Sequence, residues 1–162
     1  MKHKKQDVNI DTSKLLNAEA LNIAMQEGKG VGQVVFNISQ EKLEEYYLAA
    51  LKILEHHRWE DALDAFLFLI FLNPLVANFW IGLGFIEQSM GQYSNALNAY
   101  FMAQFLDPEN PTPYANSYQC HLGLKDEAQA KKCYQIALEL CGESSEWSDL
   151  KKSLIKAARS NK

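Results

Sequence analysis

Apolar side chains recur at three- and four-residue steps along most of this chain, the spacing that gathers them on one face of an α-helix. Residues 12–26 carry Leu15, Leu16, Ala20, Ile23 and Ala24 in such a stripe, opened by Thr12 or Ser13 as N-cap and followed by Gly28 as a stop. Near the other end, Trp147, Leu150, Leu154 and Ile155 repeat the spacing after Ser144, Ser145 and Glu146, which predicts a capping helix over 145–158. The longest unbroken apolar run, 65–72, falls far short of the roughly 20 residues that span a bilayer and is read as core.

Between these ends the helical pattern has a period. Displacing the chain against itself by 34 residues sets Trp59 on Tyr93, Ala62 on Ala96, Phe66 on Tyr100 and Pro74 on Pro108. A fixed period of this length marks stacked helical hairpins. The stretch 77–110 holds Trp80, Leu83 and Gly84, then Gly91 and Tyr93, then Ala96, Tyr100, Ala103 and Pro108, and it matches the tetratricopeptide repeat (TPR) almost throughout.

The residue types have physical roles. Gly84 and Ala96 are small so that two helices cross closely, Trp80 and Tyr100 fill the space beside the crossing, and Pro108 ends the second helix. A first unit, 43–76, keeps the skeleton with Ala50 where Gly84 stands. A third, 111–144, has Tyr118 at that small position and Gly142 in place of the closing proline. The expectation is an all-α protein: three TPR hairpins (43–76, 77–110, 111–144) in a right-handed superhelix, an N-terminal helical arm and link over 12–42, and a C-terminal capping helix and tail over 145–162. Residues 1–11 are expected to be disordered. The link 28–39 combines Gly28, Gly30 and Gly32 with Val34, Val35, Phe36 and Ile38, a flexible backbone with apolar side chains that either pack on a neighbour or seek a partner.

Charge and composition narrow the partners. A net charge of −4 gives no pull toward nucleic acid or anionic lipid. Lys2, Lys4 and Lys5 lead into Gln6, Asp7, Asn9 and Asp11 rather than an apolar stretch, which is not a secretory pattern. Three cysteines, Cys120, Cys133 and Cys141, are an odd number and fit free thiols in a reducing cytoplasm.

Candidate chemistry is thin. Gly28-Lys29-Gly30-Val31-Gly32 lacks the preceding strand and the Lys-Ser or Lys-Thr of a phosphate loop. His56 and His57 diverge by about 100° on a helix and cannot share a metal. Cys120, His121, Cys133 and Cys141 lack zinc-ligand spacing, and Cys120 beside His121 points away from it. Acid pairs Glu44-Glu45 and Glu60-Asp61 fall at a helix start and a turn, where carboxylates are solvated. No enzyme, cofactor or metal site is expected.

In a TPR stack the first helices line a concave face. In this register that face carries Glu44, Tyr47, Leu51 and Leu54; Asn78, Ile81, Phe85 and Gln88; Thr112, Ala115, Gln119 and Leu122. It is apolar with a few amides and lacks the basic clamp that captures a C-terminal carboxylate, so the expected ligand is an internal, hydrophobic, extended peptide. The alternative is that the molecule's own N-terminal segment covers these side chains.

The residues Phe79-Trp80-Ile81-Gly82-Leu83-Gly84, Ser89-Met90-Gly91-Gln92-Tyr93 and Tyr118-Gln119-Cys120-His121-Leu122 resemble the class II chaperones of bacterial type III secretion, of the SycD, LcrH and IpgC type, over about residues 35–142. The resemblance implies a cytoplasmic protein that keeps hydrophobic translocator proteins soluble until export, holding a short proline- and leucine-containing segment in the groove. The matching positions are Tyr47, Leu51, Leu54, Ile81 and Phe85, with Asn78, Ala115 and Gln119 beside them. It also implies a homodimer through the N-terminal arm, at Leu15, Leu16, Ala20 and Ile23. A general TPR adaptor or regulatory scaffold is the alternative function.

Overall fold

The computed structural model describes Asn22, Ala24 and residues 26–160. Among them every regular element is a helix: α1 (Val31–Val35), α2 (Gln40–Glu55), α3 (Trp59–Leu72), α4 (Ala77–Ser89), α5 (Tyr93–Leu106), α6 (Pro111–Gly123), α7 (Glu127–Cys141) and α8 (Ser148–Ser160). Helices α2/α3, α4/α5 and α6/α7 form three antiparallel hairpins stacked in chain order as a TPR superhelix. The last, α8, packs on α7 and α6 as a lid over the third hairpin. It begins three residues after the predicted start at 145, leaving Trp147 just ahead of it.

Local signals account for most boundaries. Ser39 Oγ accepts from Lys42 N (3.2 Å) to cap α2, and so starts this helix at Gln40, ahead of the repeat unit itself. Asn110 Oδ1 accepts from Thr112 N (3.0 Å), with Pro111 preset in the first turn of α6, and Asp126 Oδ1 accepts from Gln129 N (3.1 Å) at α7. Each hairpin turns through one left-handed residue at the same repeat position: His57 (φ 54), Gly91 (φ 76) and Lys125 (φ 59). Only the middle hairpin places a glycine there, the residue that adopts this conformation without steric cost.

The core runs through the stack. Phe66, Leu69 and Leu72 of α3 meet Leu43 and Ala50 of α2 and Phe79, Leu83 and Ile86 of α4. Ala96 and Tyr100 of α5 close on Cys120 of α6, and Ala115, Tyr118, Ala130 and Ala137 join Leu154 of α8. Close approach is decided by two glycines of α4. A Cβ on Gly84 would stand 2.6 Å from the Tyr100 ring, as the sequence implies, and one on Gly82 would stand 1.9 Å from the Phe66 ring of the preceding hairpin. Where Gly84 stands in the second hairpin, the third has Tyr118, whose ring instead leans on Tyr134 with centroids 5.4 Å apart.

Of the two courses expected for the link 28–39, it takes the first and packs on a neighbour: Gly32, Gln33 and Val35 are buried in α1, and Gly30 and Gly32 lie against the backbone of Phe71, Leu72 and Asn73 at the end of α3. The buried Asn73 holds it there, its Nδ2 donating to Gly28 O and Gln33 Oε1 (both 3.2 Å) while its Oδ1 accepts from Leu75 N (3.1 Å). The glycines therefore serve close backbone contact, and Gly28 (φ 64) is the turn that precedes it.

Candidate peptide-binding groove

The residues expected on the concave side lie along the first helix of each hairpin. On α2 the row is Tyr47, Leu51 and Leu54, all half-buried and packed against the main core; on α4 it is Asn78, Ile81 and Phe85. Phe85 is 44% exposed, with its ring centroid 6.5 Å from that of Trp59. Tyr47 sits deeper, 5.3 Å from the Phe79 ring and 6.1 Å from that of Phe66, the latter edge-on. Burial raises its hydroxyl pKa, so this side chain stays a neutral phenol. Tyr47 and Asn78 share a shallow depression with Gln40, Glu44 and Val76, where an apolar wall meets a primary amide.

On the third first-helix the row fades. Gln119 is half-exposed, but Ala115 is 4% exposed and packs in the core with Tyr118, so it offers no contact surface. That is a correction to the expected site: the methyl group is too short to reach past its larger neighbours. Gln88, also read onto this face, accepts from Tyr100 Oη (2.8 Å) and is committed to the α4–α5 contact. Leu15, Leu16, Ala20 and Ile23, expected at a dimer contact, lie outside the described residues.

Chemistry elsewhere is subdued. Cys120 and Cys141 are buried and Cys133 is half-buried; burial pushes the Cys120 thiol up to about 12 and raises the other two, which keeps all three protonated and unreactive. No cluster able to hold a metal occurs among the described residues. No helix there is long and apolar enough to cross a membrane. Sequence reasoning missed Gly82 and Asn73, whose partners lie in other hairpins or far along the chain.

No family model matches the chain. It is 29% identical over 124 residues to low calcium response locus protein H of Yersinia pestis, covering 76% of this chain and 74% of that protein. The type III secretion translocator chaperone SycD of Yersinia enterocolitica superposes with a TM-score of 0.74 at 27% identity, over 85% of this chain and 96% of SycD. In sequence and in fold the chain is similar to translocator chaperones of type III secretion. SycD in complex with a peptide of the translocator YopD matches with a TM-score of 0.70 at 28% identity, over 76% of this chain and 97% of that one. PcrH with the chaperone-binding region of PopD matches with a TM-score of 0.72 at 26% identity, over 76% of this chain and 92% of PcrH.

Proposed function

We propose that this chain is a class II chaperone of type III secretion that acts in the bacterial cytoplasm, without catalysis, by holding hydrophobic translocator proteins through an extended segment laid across α2 and α4. The observation that carries the reading is the paired rows Tyr47, Leu51, Leu54 and Asn78, Ile81, Phe85: partly exposed apolar side chains with an amide at the rim, on helices fixed by the core beneath. Apolar anchors of the segment enter between the rows, and Asn78 meets its backbone, which has no partner strand. Two or three anchors at about 1.5–3 kcal/mol each, less the cost of ordering the segment, give roughly micromolar to high-nanomolar affinity. Such binding hides the cargo's apolar surface until export. Pairing of two copies through the arm at Leu15, Leu16, Ala20 and Ile23 belongs to the same proposal.

Co-expression with a hydrophobic translocator from the same genome tests it. A soluble complex that dissociates when Phe85 is replaced by Ala supports the reading. A translocator that stays insoluble beside a well-folded chaperone rejects it.

A further inference from the structure

Between Arg58 and Lys125 the chain contains neither Lys nor Arg, although Glu60, Asp61, Asp64, Glu87, Asp107 and Glu109 fall in that stretch. The middle hairpin thus has no cation of its own for its one helix-borne acid, Glu87. Its Oε2 is shielded from solvent and has no hydrogen-bond partner, and the residue forms no ion pair among those described. Burial raises the carboxyl pKa, the expected result when a charge is desolvated without compensation.

Helical steps of about 100° per residue put Trp80, Leu83 and Glu87 on the side of α4 opposite Asn78, Ile81 and Phe85. There they form an open pocket with Asn95, Asn98 and Met102 of α5. The Trp80 indole is fixed by its Nε1–H donating to Pro74 O (2.7 Å). A carboxylate, a fixed aromatic ring and amide oxygens on one wall suit a planar cation, which stacks on the ring and donates to the oxygens. One and two turns along α5 from Asn98, Phe101 and Phe105 are 64% and 75% exposed and extend the same outer face with apolar surface.

We propose that this pocket receives an arginine side chain from a partner protein segment docked on the outer face of α4 and α5, at a site separate from the groove. The guanidinium supplies the charge that Glu87 lacks among the described residues, and the segment's flanking apolar side chains meet Phe101 and Phe105.

The test uses the full chain near neutral pH and Nα-acetyl-arginine methylamide as probe, with the citrulline analogue as its neutral isostere. The Trp80 indole N–H resonance and the Glu87 carboxyl carbon are followed by NMR. The expected result is a saturable shift of both signals with the arginine probe, weakened about tenfold or more by citrulline or by Glu87→Gln. The Glu87 pKa falls when the probe is bound, while Glu87→Gln leaves the fold by circular dichroism and binding in the groove unchanged. An equal response to citrulline, a response that survives Glu87→Gln, or no response at Trp80 overturns the proposal. So does a shift of the Trp80 and Glu87 signals without probe when Lys2, Lys4 and Lys5 are replaced by Gln, because the chain's own basic start would then be the occupant.

Discussion

The Phe66 ring lies so close to Gly82 that a Cβ on the glycine would stand 1.9 Å from Phe66 Cε1. Phe66 is fully buried, so the ring has nowhere to go, and the contact joins the first hairpin to the second. Gly82→Ala therefore destabilises the protein by about 2 kcal/mol, since overpacking of about 1–3 kcal/mol outweighs the helix propensity gained. Urea unfolding of the variant beside the parent checks this; an equal or higher midpoint would mean that the hairpins can slide apart freely.

Tyr47 and Phe85, both assigned to the proposed groove, differ in what they support. Phe85 is 44% exposed, so Phe85→Ala weakens binding of a translocator segment while lowering stability by less than about 1 kcal/mol. Tyr47 is wedged against Phe66 and Phe79, so Tyr47→Ala costs about 2–4 kcal/mol of stability as well as binding. Thermal melts paired with calorimetric titration separate the two effects.

Asn73 ties a distant link to the first hairpin through two hydrogen bonds, and a third from Leu75 N holds its own side chain. Replacement by Leu leaves Gly28 O and Gln33 Oε1 without that donor at about 1–3 kcal/mol. Hydrogen exchange should quicken over 28–36 well before it does in α4 and α5. Uniform loss of protection would show instead that the link and the core open as one unit.

Lys125 adopts φ 59, where Gly91 does the same duty in the middle hairpin. Lys125→Gly removes the strain of a side chain in the left-handed region and raises stability by about 0.5–1 kcal/mol. Denaturant melts at a fixed pH report it directly.

Glu87 has a carboxyl pKa raised by burial. The folded state then holds a proton more tightly than the unfolded chain, so stability falls as pH rises from the ordinary carboxylate value through the raised one. Glu87→Gln should raise the melting temperature at neutral pH, and the gain should vanish on acidification below the ordinary glutamate range. A gain that persists unchanged in acid would assign it to packing rather than to charge.

The 34-residue period and the start of the third hairpin at Pro111 were legible because each depends on neighbours within a turn or a repeat, while the side-chain caps at Asn110 and Asp126 were not read. Ala115 was misread for a related reason. Register assigns a direction along a helix, but whether a short side chain in that direction reaches solvent depends on the bulk of Tyr118 and its surroundings.

Local patterning by itself thus determined the all-helical stack of repeated hairpins, since helix periodicity and capping are short-range. Only the tertiary structure decided that Gly82 must admit Phe66, that Asn73 secures a glycine-rich link, and that Glu87 lines a pocket on the far side of α4 with no ion-pair partner among the described residues. Those outcomes depend on which atoms from separate hairpins meet, and close packing and desolvation act on that meeting rather than on order along the chain.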